Sequence, residues 1–120
     1  MTKPLTAQDY TRRLSRVATY IYAHLDEPLD LEKLAEIACF SPFHFHRIYH
    51  AAMGETVAET VSRHRLQRAA MHLARGARPI ADIARHAGYS SPAAFSRAFR
   101  AAYGRPPAAF RAERLSSFTP

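Results

Sequence analysis

The sequence predicts an all-α fold of about seven helices, arranged as two helix-turn-helix subdomains joined by a long central helix. Three observations carry this. Apolar residues recur at intervals of three and four, with no convincing strand-like alternation. Capping residues, prolines and glycines punctuate the chain at helix-length intervals. A short pattern in the first half returns in the second.

The elements follow in order. Tyr10, Leu14, Val17, Ile21 and Leu25 line one face of a first helix, which Pro28 breaks. Asp30 is placed to cap a short helix from Leu31 to about Ala38, its carboxylate accepting from free backbone N–H groups. Ser41-Pro42 opens a third helix, with a hydroxyl cap followed by proline where no N–H is missed, and Gly54 ends it. Thr56-Val57-Ala58-Glu59 is a capping box that starts a longer helix through Val61, Leu66, Ala70 and Leu73 to Gly76. Pro79-Ile80 begins a short helix ending at Gly88, and Ser91-Pro92 begins another ending at Gly104. A brief last helix is expected around Ala108–Glu113, with Ser116–Pro120 loose. The organisation read from this is a first helix-turn-helix subdomain over 7–55, a linking helix over 56–76 and a second subdomain over 77–114. Residues 115–120 are a loose tail or the start of a linker to a further domain.

The repeat is the most informative feature. Leu34-Ala35-Glu36-Ile37-Ala38-Cys39-Phe40-Ser41-Pro42, then Phe45, Arg47, Tyr49 and Gly54, is answered by a second copy. That copy reads Ile83-Ala84-Arg85-His86-Ala87-Gly88-Tyr89-Ser90-Ser91-Pro92, then Phe95, Arg97, Phe99 and Gly104, with one extra residue after the aromatic. Each copy is a short helix, a tight turn and a second helix opened by Ser-Pro, which is the form of a helix-turn-helix. Alanines 35, 38, 84 and 87 let the helix pair approach closely, and the aromatics fill the wedge between them. Cys39 stands where Gly88 stands in the other copy, so a left-handed turn there would cost about 1–2 kcal/mol.

A reading helix must keep its outer face polar from its N-terminal end, because that end enters the major groove. The first copy offers Phe43, His46, Arg47 and His50 on that face; the second offers Ala93, Ser96, Arg97 and Arg100. Ser41 and Ser91 are read as helix caps whose N-termini also contact phosphate. Phe45 and Phe95 are assigned to the core. Phe43 is open between a thymine-methyl or sugar contact and the core. Nineteen residues of linking helix (57–75) at ~1.5 Å each span ~28 Å. With the turns added, this approaches the ~34 Å between successive major grooves. One chain should therefore read about 20 base pairs of asymmetric DNA and bend it, without dimerising.

Composition agrees. A chain of 120 residues at 48% hydrophobic and 22% charged is an ordinary globular domain. There is no run of ~18 apolar residues to span a membrane. The opening Met1-Thr2-Lys3-Pro4-Leu5 is not a secretory signal, and Cys39 is the sole cysteine, so a cytoplasmic setting is expected. The net charge is +7 and uneven: residues 1–60 carry 6 basic and 8 acidic side chains, residues 61–120 carry 11 and 2. An arginine-rich half points to a polyanion. No nucleophile–base–acid order, phosphate-binding glycine loop or paired carboxylate marks an enzyme, and no cofactor is expected. His44, His46 and His50 cluster near Cys39, but a zinc site wants three or four converging ligands, so no metal is assigned. The alternative function is a helical protein-interaction module, or a non-specific DNA binder.

The second half reads Ile80-x-Asp82-Ile83-Ala84-x-x-x-Gly88-Tyr89-Ser90-Ser91, then Phe95-Ser96-Arg97-x-Phe99-Arg100 and Tyr103-Gly104-x-x-Pro107-x-x-Phe110-Arg111. On that phrase, and over about residues 10–112, the sequence resembles the AraC/XylS family of bacterial transcription regulators. The resemblance implies two recognition helices in adjacent major grooves of double-stranded DNA. It also implies control of promoters through RNA polymerase, usually activation. Carried over by position, base-facing roles fall on Phe43, His46 and Arg47, and on Pro92, Ala93, Ser96 and Arg97. Pro92, Ala93 and Ala94 leave the second reading helix few hydrogen-bonding groups, so the first should carry most of the specificity. A small-molecule effector is expected only if a further domain exists.

Overall fold

Five helix starts in this chain are set by side chains that satisfy the free N–H groups of a first turn. In the computed structural model, which describes residues 5–117, seven helices result. They are α1 (Ala7–Ala23), α2 (Leu31–Ala38), α3 (Pro42–Met53), α4 (Val57–Arg75), α5 (Ile80–His86), α6 (Pro92–Tyr103) and α7 (Pro107–Ser117), with no strand among the described residues. Asp30 caps α2 by accepting from the Glu32 N–H, as its position predicts. The Thr56–Glu59 box caps α4 reciprocally, with bonds of 3.1 and 3.2 Å. A second such box, Thr6 with Asp9, opens α1.

Two ends differ from expectation. The first helix stops at Ala23, five residues short of Pro28. His24 turns out of the helix, its ring stacked at 3.9 Å on Tyr20 and its Nδ1 2.8 Å from the Tyr20 carbonyl, and Leu25 drops into the core beyond the helix end. The last helix is longer than Ala108–Glu113 and runs to Ser117, so residues 115–117 are helical; the rest of the expected loose tail, Phe118–Pro120, lies outside the described residues. Arg111 anchors α7, donating to the Leu73 carbonyl at 3.3 Å and the Arg78 carbonyl at 2.5 Å.

The chain divides into two compact units, Met1–Ser62 and Arg63–Pro120, with the boundary inside α4. The first packs Leu14, Val17 and Ile21 of α1 against Leu34, Ala35 and Ala38 of α2 and Phe45 and Tyr49 of α3. Its buried hydroxyl, Thr60, donates to Glu55 at 2.8 Å and so must accept from Tyr49 at 2.6 Å. The second packs Leu66, Ala69 and Leu73 of α4 against Ile83 and Ala84 of α5, Phe95 and Phe99 of α6 and Phe110 of α7. At 0–5% exposure the four alanines of the repeat are as buried as the aromatics they admit.

Candidate nucleic-acid interface

The turn of each helix-turn-helix is built from the same two bonds. After α2 the Cys39 N–H reaches the Glu36 carbonyl at 3.0 Å and the Phe40 N–H reaches Ala35 at 2.9 Å. After α5 the Gly88 N–H reaches Arg85 at 3.0 Å and the Tyr89 N–H reaches Ala84 at 3.1 Å. This arrangement needs a left-handed residue, and Cys39 adopts it at φ 61°, as Gly88 does at φ 92°. Cys39 therefore occupies the turn its glycine counterpart occupies, without the turn being rebuilt. Arg13 of α1 supports it, donating to the Cys39 carbonyl at 3.2 Å with its guanidinium 5.0 Å from the Phe40 ring centre.

From each turn the second helix leaves with a capped, positive N-terminus. The Ser41 hydroxyl accepts from the His44 N–H at 3.3 Å, and the Ser91 hydroxyl accepts from Ala94 at 3.1 Å. Neither α3 nor α6 has an acid in its first turn, which leaves the helix dipole free to favour an anion. The extra residue of the second copy is absorbed ahead of the cap, where Ser91 is more extended (φ −149°) than Ser41 (φ −66°). Phe45 and Tyr49 on α3 and Phe95 and Phe99 on α6 turn inward and are at most 1% exposed, which fixes what faces out.

On α3 the outward face holds Phe43, His46, Arg47 and His50, all exposed. Phe43 at 74% exposure belongs to the surface and not to the core. The Arg47 guanidinium lies 5.8 Å from the Phe43 ring centre. On α6 Ala93, Arg97 and Arg100 are exposed and Ser96 is half-buried. Each set is thus collected on one helix, and Arg47 and Arg97 stand at the same register of equivalent helices. His44 stacks on Phe40 with ring centres 5.9 Å apart. Among the described residues no three His, Cys, Asp or Glu side chains converge on a point that could hold a metal.

The arginines of α4 are not among the residues that the repeat singles out. Arg65 lies against the second turn, its Nη1 3.0 Å from where a Cβ on Gly88 would sit, and Arg68 donates to the His86 carbonyl at 3.4 Å. Their signal was the run Arg63-x-Arg65-x-x-Arg68 just inside the basic half. His72 of α4 is held below the usual imidazole range by burial, and Arg78, Arg68, His86 and Arg75 push in the same direction.

A family model described as a helix-turn-helix domain matches residues 34–113, from α2 into α7 and so across both units. The regulatory protein SoxS of Salmonella typhimurium is 35% identical over 92 residues, which cover 77% of this chain and 86% of SoxS. The chain belongs to the AraC/XylS family. The uncharacterised HTH-type transcriptional regulator YbfP of Bacillus subtilis is also 35% identical, over 102 residues. That match covers 85% of this chain and 35% of YbfP, so the chain spans about a third of that relative. An AraC-type DNA-binding-domain protein from Chromobacterium violaceum superposes with a TM-score of 0.80 at 25% identity, over 87% of this chain and 93% of the other. The DNA-binding domain of AdpA, solved with a target DNA, gives 0.76 at 28%, over 88% and 96%. The AraC/XylS domain seen here is accordingly a sequence-specific DNA-binding domain of a transcription regulator. No described helix is long and apolar enough to cross a membrane.

Proposed function

We propose that α3 and α6 are the two reading helices and that they enter successive major grooves of one asymmetric promoter site. The observation that supports this most is the equivalence of Arg47 and Arg97. Two copies of one helix-turn-helix, each capped by serine and each burying two aromatics, expose an arginine at the same register. A planar guanidinium there can grip the O6 and N7 of guanine with two parallel bonds. Phe43, His46 and His50 flank Arg47, and Ala93, Ser96 and Arg100 flank Arg97. Ser41 and Ser91 hold their helix N-termini open to phosphate.

The two helices divide the work. The first turn of α6 is Pro92, Ala93, Ala94, which offers no hydrogen-bonding side chain, so α6 anchors backbone and packs on thymine methyls. α3, with two histidines and an arginine outward, carries most of the sequence readout. The domain works by binding rather than by catalysis. Its regulatory output is activation through contact with RNA polymerase, as the family resemblance implies.

Selection of bound duplexes from a random pool at ~0.15 M salt tests this. The expected result is an asymmetric motif of two blocks about one helical turn apart. Arg47→Ala should erase guanine preference in one block and Arg97→Ala weaken the other, each by about 1–3 kcal/mol. A pool without an enriched motif, or a motif indifferent to both substitutions, would overturn the assignment in favour of a non-specific binder or an interaction module.

A further inference from the structure

α3 carries a feature that guanine recognition by Arg47 does not use. Phe43 is the most exposed of the large hydrophobic side chains among the described residues, at 74%. Beside it runs a groove of about 320 Å³ lined by Phe43, His44, Arg47, Ile48 and Ala51. The His44 ring is stacked on Phe40, and the Arg47 guanidinium sits 5.8 Å from the Phe43 ring centre, within cation–π range. Phe43, Ile48 and Ala51 neither donate nor accept a hydrogen bond. An aromatic face and an apolar groove thus flank an exposed arginine.

We infer that this groove reads the C5-methyl group of a pyrimidine next to the guanine held by Arg47, and that it accepts 5-methylcytosine in place of thymine. This rests on α3 being a reading helix. In the major groove thymine shows an O4 acceptor and a C5-methyl, whereas cytosine shows an N4 donor and a bare C5. With Arg47 engaged by the guanine and His44 stacked on Phe40, the wall left to the pyrimidine is Phe43, Ile48 and Ala51, which cannot tell the acceptor from the donor, since it pairs with neither. It can tell a methyl from a hydrogen, because the methyl fills apolar surface that otherwise faces water. Thymine and 5-methylcytosine are therefore equivalent to this groove, and uracil and unmethylated cytosine are equally poor. Methylation of cytosine at that one position strengthens the site by the worth of one buried methyl, about fourfold. The chain thereby becomes a sensor of DNA methylation at that base step.

The test starts from the duplex selected by the intact chain. Each thymine in the block lost in Arg47→Ala is replaced singly by uracil, and the responding position is then remade with cytosine and with 5-methylcytosine, each with its matching partner base. One position should respond, with thymine and 5-methylcytosine binding about fourfold more tightly than uracil and cytosine, the effect of burying one methyl. Phe43→Ala should bring the four affinities within twofold of one another; Phe43 is on the surface, so the variant keeps its fold. Indifference of the intact chain to uracil overturns the inference, as does 5-methylcytosine binding no better than cytosine. Either result leaves Arg47 as a guanine reader in place. If instead no motif is selected, or Arg47→Ala binds as the intact chain does, the reading-helix assignment fails and the inference with it.

Discussion

At the level of single residues, Cys39 and Gly88 are a natural comparison of two solutions to one turn. Both sit in the left-handed region with the same pair of backbone bonds around them. A side chain in that region costs about 1–2 kcal/mol, and glycine gives back part of the gain because its unfolded state is freer. Cys39→Gly should therefore stabilise the first unit by about 0.5–1 kcal/mol in urea denaturation. Gly88→Ala should destabilise the second by about 1–2 kcal/mol, mostly from backbone strain, since the nearest obstacle is the movable tip of Arg65. Opposite signs would show that the two turns do the same job, whereas a destabilising Cys39→Gly would show that the thiol packs usefully. The correspondence of these positions was legible in the sequence, because the repeat aligns them. What keeps the cysteine turn in place was not, since Arg13 reaches Cys39 across 26 residues of chain and no local pattern encodes that contact.

Among the elements, legibility follows the range of the forces involved. Starts fixed by local caps, as in α2, α3, α4 and α6, came directly from Asp30, Ser41, Thr56 and Ser91. The end of α1 did not, because it is decided by how Leu25 drops into a core whose other walls are α2 and α3. Within α7, Phe110 is held by Phe99 of α6 and Arg111 by the Leu73 carbonyl of α4, contacts that no local pattern encodes. The exposed faces of α3 and α6 were legible because they are what remains once the aromatic pairs turn inward. His72 shows a consequence of packing that sequence alone does not give. Burial first, then Arg78, Arg68, His86 and Arg75 beside it, hold its folded-state pKa below the unfolded value of about 6.5. The unfolded chain then takes up a proton first as pH falls, so this stability is fully present above that value and is lost on acidification through it. The thermal midpoint should drop between pH 7.5 and 5.5, and His72→Gln should reduce that drop. An unchanged pH slope in the variant would assign the effect to other groups.

Across the whole molecule, charge is distributed by unit. The sequence changes from −2 in residues 1–60 to +9 in residues 61–120, beside the point where the compact units divide. Such asymmetry separates affinity from specificity, because phosphate neutralisation releases counterions whatever the base sequence. Log affinity should fall linearly with log salt, losing about 0.9 per phosphate contacted. Arg100→Ala, on the exposed face of α6, should reduce that slope by about one and weaken all duplexes alike while leaving the selected motif intact. Arg47→Ala should do the converse, relaxing the motif with a smaller change in slope. Titrations of both variants on selected and scrambled duplexes between ~0.05 and 0.2 M salt separate the two behaviours. A motif altered by Arg100→Ala, or equal slope changes in both, would mean that α6 reads bases as α3 does. The poverty of its first turn would then have to be offset by Ser96 and Arg97 alone. With the expected pattern, the basic unit supplies tight but indifferent attachment, and the nearly neutral unit chooses where on the DNA that attachment is made.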